Sequence, residues 1–138
     1  MSLKNAHVLV IDDDVDVLTA VRLLLKPEVK EVITEKNPEN IRSLLARQNF
    51  DVIMLDMNYT AGATNSKEGF EWLSRILEID PGAVVIMITA YGDIELAVRA
   101  LKEGATDFVL KPWQNEKLIA TLSAAAKLKK SYQEVESL

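Results

Sequence analysis

The chain has 138 residues, with 49% hydrophobic and 27% charged residues, the balance expected of one compact globular domain. Its net charge of -5 supplies no basic field for binding nucleic acid, and the lack of cysteine excludes disulfides, zinc ribbons and thiol nucleophiles. No apolar run approaches the roughly 18 residues of a membrane span. We therefore expect a cytoplasmic protein that contacts neither a membrane nor nucleic acid directly.

Short apolar runs along the chain predict five strands. Four of them are continuous rather than alternating, which is typical of strands buried on both faces in a parallel sheet. These four are HVLVI ending at Ile11, DVIML ending at Leu55, AVVIMI ending at Ile88 and DFVL ending at Leu110. A weaker, β-branched run, EVIT at 31–34, is predicted to be the second strand in chain order.

Segments with helical spacing follow each strand. Their apolar residues recur every three or four positions, as in Val15, Leu18, Val21 and Leu25 of the first segment. Alternation of strand and helix predicts βαβ units with right-handed crossovers. The predicted fold is therefore an α/β, doubly wound, five-stranded parallel sheet with five helices on its two faces.

Polar residues stand where four of the predicted strands end. The acids at 12–14 follow the first strand, Asp56 the third, Thr89 the fourth and Lys111 the fifth. Taken singly, such residues cap helices or are solvated. A doubly wound sheet, however, brings these strand ends together at one edge, where ligands bind. The joint arrangement therefore predicts a functional site.

Crowded carboxylates at this edge favour a divalent cation. Like charges a few ångströms apart raise one another's pKa unless a cation neutralises them, and oxygen ligands without a Cys or His cluster suit magnesium. Asp12 and Asp13 are expected to hold the metal, and Asp56 to be the nucleophile in phosphoryl transfer. Lys111 and the hydroxyl of Thr89 are expected to contact phosphoryl oxygens.

Four motifs carry a resemblance to a known family. VLVIDDD, DVIMLD, ITAYGD and GATDFVLKPW resemble, in order and rough spacing, the receiver domains of two-component response regulators. The stretch ITAYGDIELAVRALKEGATDFVLKPW is similar to receivers attached to AAA+ activators of the alternative sigma factor, the NtrC-like regulators. The resemblance implies a flavodoxin-like fold with strand order 2-1-3-4-5, a receiver domain over 1–130, and the start of a linker to a missing output domain over 131–138.

The resemblance also implies roles for individual acids. Asp56 matches the phosphoacceptor, Asp12 and Asp13 match the acidic pair that binds magnesium, and Asn58 matches the position whose backbone carbonyl is a further metal ligand. Manganese or calcium would substitute for magnesium in vitro. The chain departs from the family after the acceptor, because MNYTAGATNSKEG contains no proline and delays the next helix. The conformation of the loop at 57–69 is left open.

Further site residues follow from the same resemblance. Thr89 and Lys111 match the hydroxyl and amine of the family's phosphoryl site. Phe108 matches the switch aromatic of the last strand, which follows Thr89 when phosphate binds. The peptide bond between Lys111 and Pro112 is expected to be cis.

The implied function is that of a switch. A histidine kinase or phosphotransfer protein is expected to donate a phosphoryl group to Asp56 in a magnesium-dependent reaction. The modified domain then changes an output, expected to be transcription, with homodimerisation through the fourth helix, fifth strand and fifth helix. Apart from its own phosphorylation and dephosphorylation, no enzymatic turnover is expected. The sequence does not identify the kinase, the stimulus, the target genes or the lifetime of the phosphate.

Three other functions fit these residues less well than a phosphorylation switch does. Asp56, Asn58 and Thr60 faintly echo the DxDxT motif of aspartate-dependent phosphatases, but that motif should follow the first strand and its second acid is absent. A flavodoxin-like nucleotide or flavin binder needs a phosphate-cradling loop where three acids stand here. A receiver that works without phosphorylation is disfavoured by the intact acid, threonine and lysine positions.

Overall fold

A computed structural model describes residues 3–57, 67–90 and 92–136 of the chain. The strands of this part are β1 (His7–Ile11), β2 (Glu31–Glu35), β3 (Val52–Asp56), β4 (Val85–Ala90) and β5 (Asp107–Lys111). The α-helices are α1 (Val15–Leu25), α2 (Ile41–Arg47), α3 (Lys67–Ile79), α4 (Ile94–Lys102) and α5 (Asn115–Glu136). Short 3-10 helices lie at Leu3–Asn5 and Pro38–Asn40.

The strands form a single parallel sheet in the order β2-β1-β3-β4-β5. The predicted fold class and strand order are therefore confirmed. Four strands, β2 to β5, extend further than their predicted apolar runs, because backbone pairing continues into the residues that follow. Asp56 pairs with Ile88, and Ala90 pairs with Lys111. The site residues of these strands are thus part of the sheet and do not lie in loops beyond it.

Two apolar clusters cover the two faces of the sheet. Val8 and Val10 face the cluster that includes residues of α1 and α5, whereas Leu9 and Ile11 face the cluster that includes residues of α2, α3 and α4. Successive side chains of a strand point to opposite faces. Because both faces are covered, every position of β3 is buried, which explains why its sequence reads as a continuous apolar run.

Helix α5 is tied to the turn before β4 by a buried lysine. The Nζ of Lys129 donates a hydrogen bond to the backbone oxygen of Gly82 at 2.8 Å and lies 3.6 Å from Oδ2 of Asp80. Residues 131–136 continue α5 beyond this lysine, and the side chains of residues 131–135 are exposed. The resemblance implies that a linker begins at residue 131. Within the described residues, no helix is both long enough and apolar enough to cross a lipid bilayer.

Gly69 lets α3 approach the backbone immediately after β3. A Cβ atom at this position would lie 2.4 Å from the carbonyl oxygen and 2.7 Å from the Cα of Met57, the residue after Asp56. Backbone atoms cannot yield as a flexible side chain can, so only glycine fits this contact. The sequence pattern placed Gly69 at the end of a loop, whereas α3 already begins at Lys67.

We predict that Gly69→Ala lowers the free energy of unfolding by about 1–3 kcal/mol, the usual cost of overpacking a close contact. The added methyl group must push α3 away from Met57 or displace Met57 itself. Urea denaturation measures the change. Ser74→Ala, at an exposed position of the same helix, is the control and is expected to leave the midpoint unchanged. Equal midpoints for Gly69→Ala and wild type would contradict this packing argument.

Candidate functional site

The carboxyl edge of the sheet collects the predicted site residues because β1, β3, β4 and β5 are neighbours there. Asp12 directly follows β1, and its backbone N–H donates to the carbonyl oxygen of Glu35 at 3.2 Å. Asp56 is the last residue of β3, Thr89 lies one residue before the end of β4, and Lys111 is the last residue of β5. The topology therefore brings side chains from four separate parts of the sequence to one edge.

Three carboxylates lie close together at this edge. One oxygen from each of Asp12, Asp13 and Asp56 lies within 4.8 Å of the other two. Asp12 is fully buried and Asp56 is 5% exposed, whereas Asp13 is exposed. The third acid of the triplet has another task, since the side chain of Asp14 accepts a hydrogen bond from the backbone of Asp16 and caps α1. The cluster thus opens to solvent on the side of Asp13.

Lys111 partly balances the negative charge of the cluster. Its Nζ lies 2.8 Å from Oδ2 of Asp12 and 3.4 Å from Oδ1 of Asp56. Burial lowers the pKa of Lys111, but its hydrogen bond with Asp12 and the charge of Asp56 outweigh burial, and the net pKa is raised. The amine therefore stays cationic at neutral pH and is shared between two carboxylates.

One ammonium cannot neutralise three carboxylates. Partial burial raises the pKa of Asp13 above its ordinary value of 3.8, and the neighbouring charge of Asp12 raises it further. The cluster thus carries excess negative charge at neutral pH. Carboxylate oxygens are the ligands that hard divalent cations prefer, so these residues fit such an ion.

Thr89 supplies a buried hydroxyl at the same edge. The residue is 1% exposed, and its Oγ1 has no hydrogen-bond partner among the described residues. Buried polar groups are nearly always paired, because an unpaired one costs free energy. A buried hydroxyl without a partner therefore indicates a binding position, and this one can donate a hydrogen bond to an incoming oxygen atom.

The remaining predicted site residues lie on or after β5, or outside the described residues. Phe108 is half-buried and packs against the apolar cluster that also receives Leu96 of α4. The peptide bond between Lys111 and Pro112 is cis. Asn58, predicted to offer a backbone carbonyl to a metal, lies outside the described residues, as does most of the loop at 57–69.

The lone histidine lies at the opposite, amino edge of the sheet. The Nδ1 of His7 is 3.0 Å from Oε1 of Glu31, and Nε2 of Gln48 donates to the same oxygen at 2.8 Å. These two contacts lower the pKa of Glu31, the bond from Gln48 being the larger cause. The backbone N–H of His7 also donates to Asp51 at 2.8 Å. These contacts give His7 a structural role.

Sequence reasoning missed an arginine that joins two helices. The guanidinium carbon of Arg99 on α4 lies 4.0 Å from the centroid of the Phe70 ring on α3, and its Nε lies 2.6 Å from Oε2 of Glu103. The spacing of Arg99 and Glu103 is readable as a helical ion pair. The contact with Phe70 carries no local signal, because it joins residues 29 positions apart in sequence (99 − 70).

Comparison with known proteins identifies the family of this chain. The family described as the response regulator receiver domain matches residues 8–123. The transcriptional regulatory protein ZraR of Klebsiella oxytoca is 32% identical over 125 residues, which cover 91% of this chain and 27% of ZraR. The chemotaxis protein CheY of Listeria monocytogenes serovar 1/2a is 34% identical over 119 residues, which cover 86% of this chain and 97% of CheY.

A solved structure extends the comparison to three dimensions. The N-terminal signal receiver domain of a two-component system response regulator from Bacteroides fragilis superimposes with a TM-score of 0.81 at 45% identity, covering 89% of this chain and 98% of that one. The fold and the family match together define a signalling domain of the doubly wound α/β class. The chain belongs to the response regulator receiver domain family. It spans 27% of the length of the first curated relatives, so their remaining parts have no counterpart in these residues.

We predict that Asp13→Asn stabilises the metal-free protein at neutral pH. The folded-state pKa of Asp13 is raised, so its contribution to stability falls as pH rises from its ordinary value of 3.8 through the raised value. The amide removes this penalty. Urea midpoints in a chelating buffer should therefore be higher for the variant at neutral pH and converge with wild type below 3.8.

A charge-matched control separates this local effect from a change in net charge. Glu28→Gln removes one negative charge at an exposed position outside the acid cluster. It is expected to leave the midpoint close to that of wild type. An Asp13→Asn midpoint at or below the wild-type value at neutral pH would show that the cluster is not under electrostatic strain.

Proposed function

We propose that this receiver domain accepts a phosphoryl group on Asp56 from a histidine kinase or a phosphotransfer protein. The position of the Asp56 carboxylate carries the proposal, since its Oδ1 lies 3.4 Å from Nζ of Lys111 and its carboxylate belongs to the cluster with Asp12 and Asp13. Enzymes and receivers promote phosphoryl transfer mainly by positioning groups and stabilising charge. An acid, a cation and a free hydroxyl at one edge provide both.

In the proposed reaction, a carboxylate oxygen of Asp56 attacks the phosphorus atom and forms an acyl phosphate. The bond between phosphorus and the donor's imidazole nitrogen breaks, and the electron pair of that bond stays on the nitrogen. Lys111 then pairs with a phosphoryl oxygen, which draws it from the carboxylate that it contacts at 3.4 Å. The hydroxyl of Thr89 donates to another phosphoryl oxygen and thereby gains the partner that it lacks among the described residues.

We further propose that Asp12, Asp13 and Asp56 hold a magnesium ion, with manganese or calcium as substitutes in vitro. Their clustered oxygens and the raised pKa of Asp13 support a cation at this position. When bound, the cation supplies positive charge that offsets the repulsion between the carboxylates and the negative phosphoryl oxygens. The backbone carbonyl of Asn58 remains the proposed further ligand.

The proposed output of the switch passes through α4, β5 and α5. Thr89 and Phe108 are the proposed switch residues, because Thr89 lies one residue before the end of β4, the strand that precedes α4, and Phe108 packs against the cluster beside that helix. Helix α4 exposes Ile94, Val98 and Leu101, at 51%, 44% and 38%. These apolar residues, spaced four and three apart, support homodimerisation through this surface.

A larger regulator is the proposed setting of the domain. The relatives with printed names of transcriptional regulators are longer than this chain, and it spans 27% of their length. We propose that 1–130 is the receiver, that 131–138 begins a linker, and that an output domain regulates transcription in the cytoplasm. The receiver itself binds no nucleic acid, which its net charge of -5 supports.

We predict that wild type incubated with magnesium and acetyl phosphate gains one phosphoryl group and that Asp56→Asn gains none, because the amide cannot form the acyl phosphate. Intact mass spectrometry measures the modification. Asp16→Asn, an exposed aspartate of α1, is the control and should be labelled like wild type. Labelling of Asp56→Asn would refute the assigned acceptor. Sustained release of phosphate from small esters would instead favour the phosphatase alternative.

We predict that Lys111→Met slows this labelling by about 10-fold or more, since one preorganised charged donor commonly contributes that much or more to such a transfer. Methionine retains much of the side-chain volume and removes the ammonium that contacts Asp12 and Asp56. The initial rate of labelling by acetyl phosphate at fixed magnesium is the measurement. Lys117→Met, on an exposed site of α5, is the matched control. An unchanged rate for Lys111→Met would remove Lys111 from the proposed machinery.

A further inference from the structure

The end of helix α4 nearest to Thr89 lacks a side-chain cap. Strand β4 ends at Ala90 and α4 begins at Ile94. Between them, Gly92 has a φ of 95° and no heavy atom within 4 Å of a Cβ built on it, and the side chain of Asp93 makes no capping hydrogen bond. The start of α4 is therefore held by backbone hydrogen bonds, such as that from the N–H of Asp93 to the oxygen of Ala90 at 3.2 Å, without a side-chain cap.

The face that α4 turns to the sheet is also shallow. Its fully buried residues are Ala97 and Ala100, whereas Ile94 and Val98 are about half exposed. Hydrophobic stabilisation grows with the apolar area removed from water, and two alanines remove little. Helix α4 therefore gains less hydrophobic stabilisation from this face than it would if larger side chains were buried there.

The other half of α4 has a specific contact with a neighbouring helix. The guanidinium of Arg99 lies 4.0 Å from the centroid of Phe70, a residue of α3 that is only 5% exposed. Glu103, the residue directly after α4, lies one turn beyond Arg99, and its Oε2 is 2.6 Å from the Nε of the same guanidinium. A cation over an aromatic face is attracted by the ring quadrupole. Arg99 therefore joins α4 to α3, and Glu103 orients it for that contact.

We infer that Arg99 is a positioning residue whose contact with Phe70 holds α4 in the arrangement that accompanies an anion-free acid site. In this arrangement Lys111 is bound to Asp12 and Asp56, and the hydroxyl of Thr89 has no partner among the described residues. The inference rests on the proposed function, because a bound phosphoryl group must draw Thr89 and the following segment toward it.

Thermodynamic reciprocity gives the inference its measurable consequence. If anion binding moves α4 against the contact between Arg99 and Phe70, then removing the contact must tighten anion binding by the same factor. The ion pair of Arg99 with Glu103 is exposed and within one helix, and such pairs contribute little. The coupling is therefore assigned to the contact between helices.

The chain contains a matched control for this contact. Arg75 lies over the ring of Trp72, with its guanidinium carbon 4.6 Å from the centroid. Both of these residues belong to α3, so their interaction has the same chemistry but joins no second helix. A general effect of losing a surface cation over an aromatic ring would appear at both arginines, whereas an effect on α4 would appear only at Arg99.

The test measures the apparent dissociation constant of beryllofluoride, a stand-in for the phosphoryl group, at fixed magnesium by calorimetry. Arg99→Ala is expected to bind about two- to fivefold more tightly than wild type, the factor that corresponds to a surface cation–π contact. Arg75→Ala is expected to match wild type. Alanine has the highest helix propensity, so neither exposed substitution disrupts its helix.

The outcomes separate this inference from the proposed function. Absence of beryllofluoride binding by wild type would refute the phosphoacceptor site itself. Binding by wild type with equal or weaker binding by Arg99→Ala would overturn the positioning role and leave the acceptor intact, as would equal tightening by Arg75→Ala. Phe70→Leu should tighten binding as Arg99→Ala does, and the double variant should tighten it no further. If the double variant tightened binding by the product of the two single factors, the two residues would act separately, which would contradict the inference.

Discussion

Electrostatic repulsion at the carboxyl edge of the sheet is the constraint on which the rest of the structure depends. Three carboxylates converge there, and Lys111, 2.8 Å from Asp12, offsets only part of their charge. The arrangement is tolerable because Asp13 remains exposed to water, while Asp12 is buried with both a lysine and the backbone N–H of Asp14 as partners. The fold thus maintains an anionic cluster at the edge where we propose that a cation and a phosphoryl group bind.

The sequence predicted the architecture because buried parallel strands and amphipathic helices leave different periodic patterns. The predicted ends of the strands were less accurate, because backbone pairing continues past the last apolar residue into Asp56 and Lys111. The convergence of Asp12, Asp13, Asp56 and Lys111 could also be predicted, because strand order alone determines which ends are neighbours. That Lys111 bonds Asp12 more closely than Asp56 could not, as it depends on side-chain conformation.

Two contacts of helix α3 could not be predicted from sequence patterns. The approach of Gly69 to Met57 depends on the angle at which α3 enters, and a glycine near a loop has the same sequence signature whether it bends freely or makes room for backbone. The stacking of Arg99 on Phe70 depends on the separation of α3 and α4. Neither separation is encoded in local periodicity. Both contacts nevertheless act close to the acid site or to the helix that follows Thr89.

Hydrogen bonds at the amino edge connect the strands at the end opposite to the acid site. His7, Glu31, Gln48 and Asp51 connect the beginnings of three strands with the end of α2. Under the proposed function, we expect a change at the acid site to move the loops and the helix at the carboxyl edge, because these hydrogen bonds hold the strands together at the amino edge. For an experimenter, that edge offers the place to attach a fluorophore or a surface tether with the least disturbance to signalling.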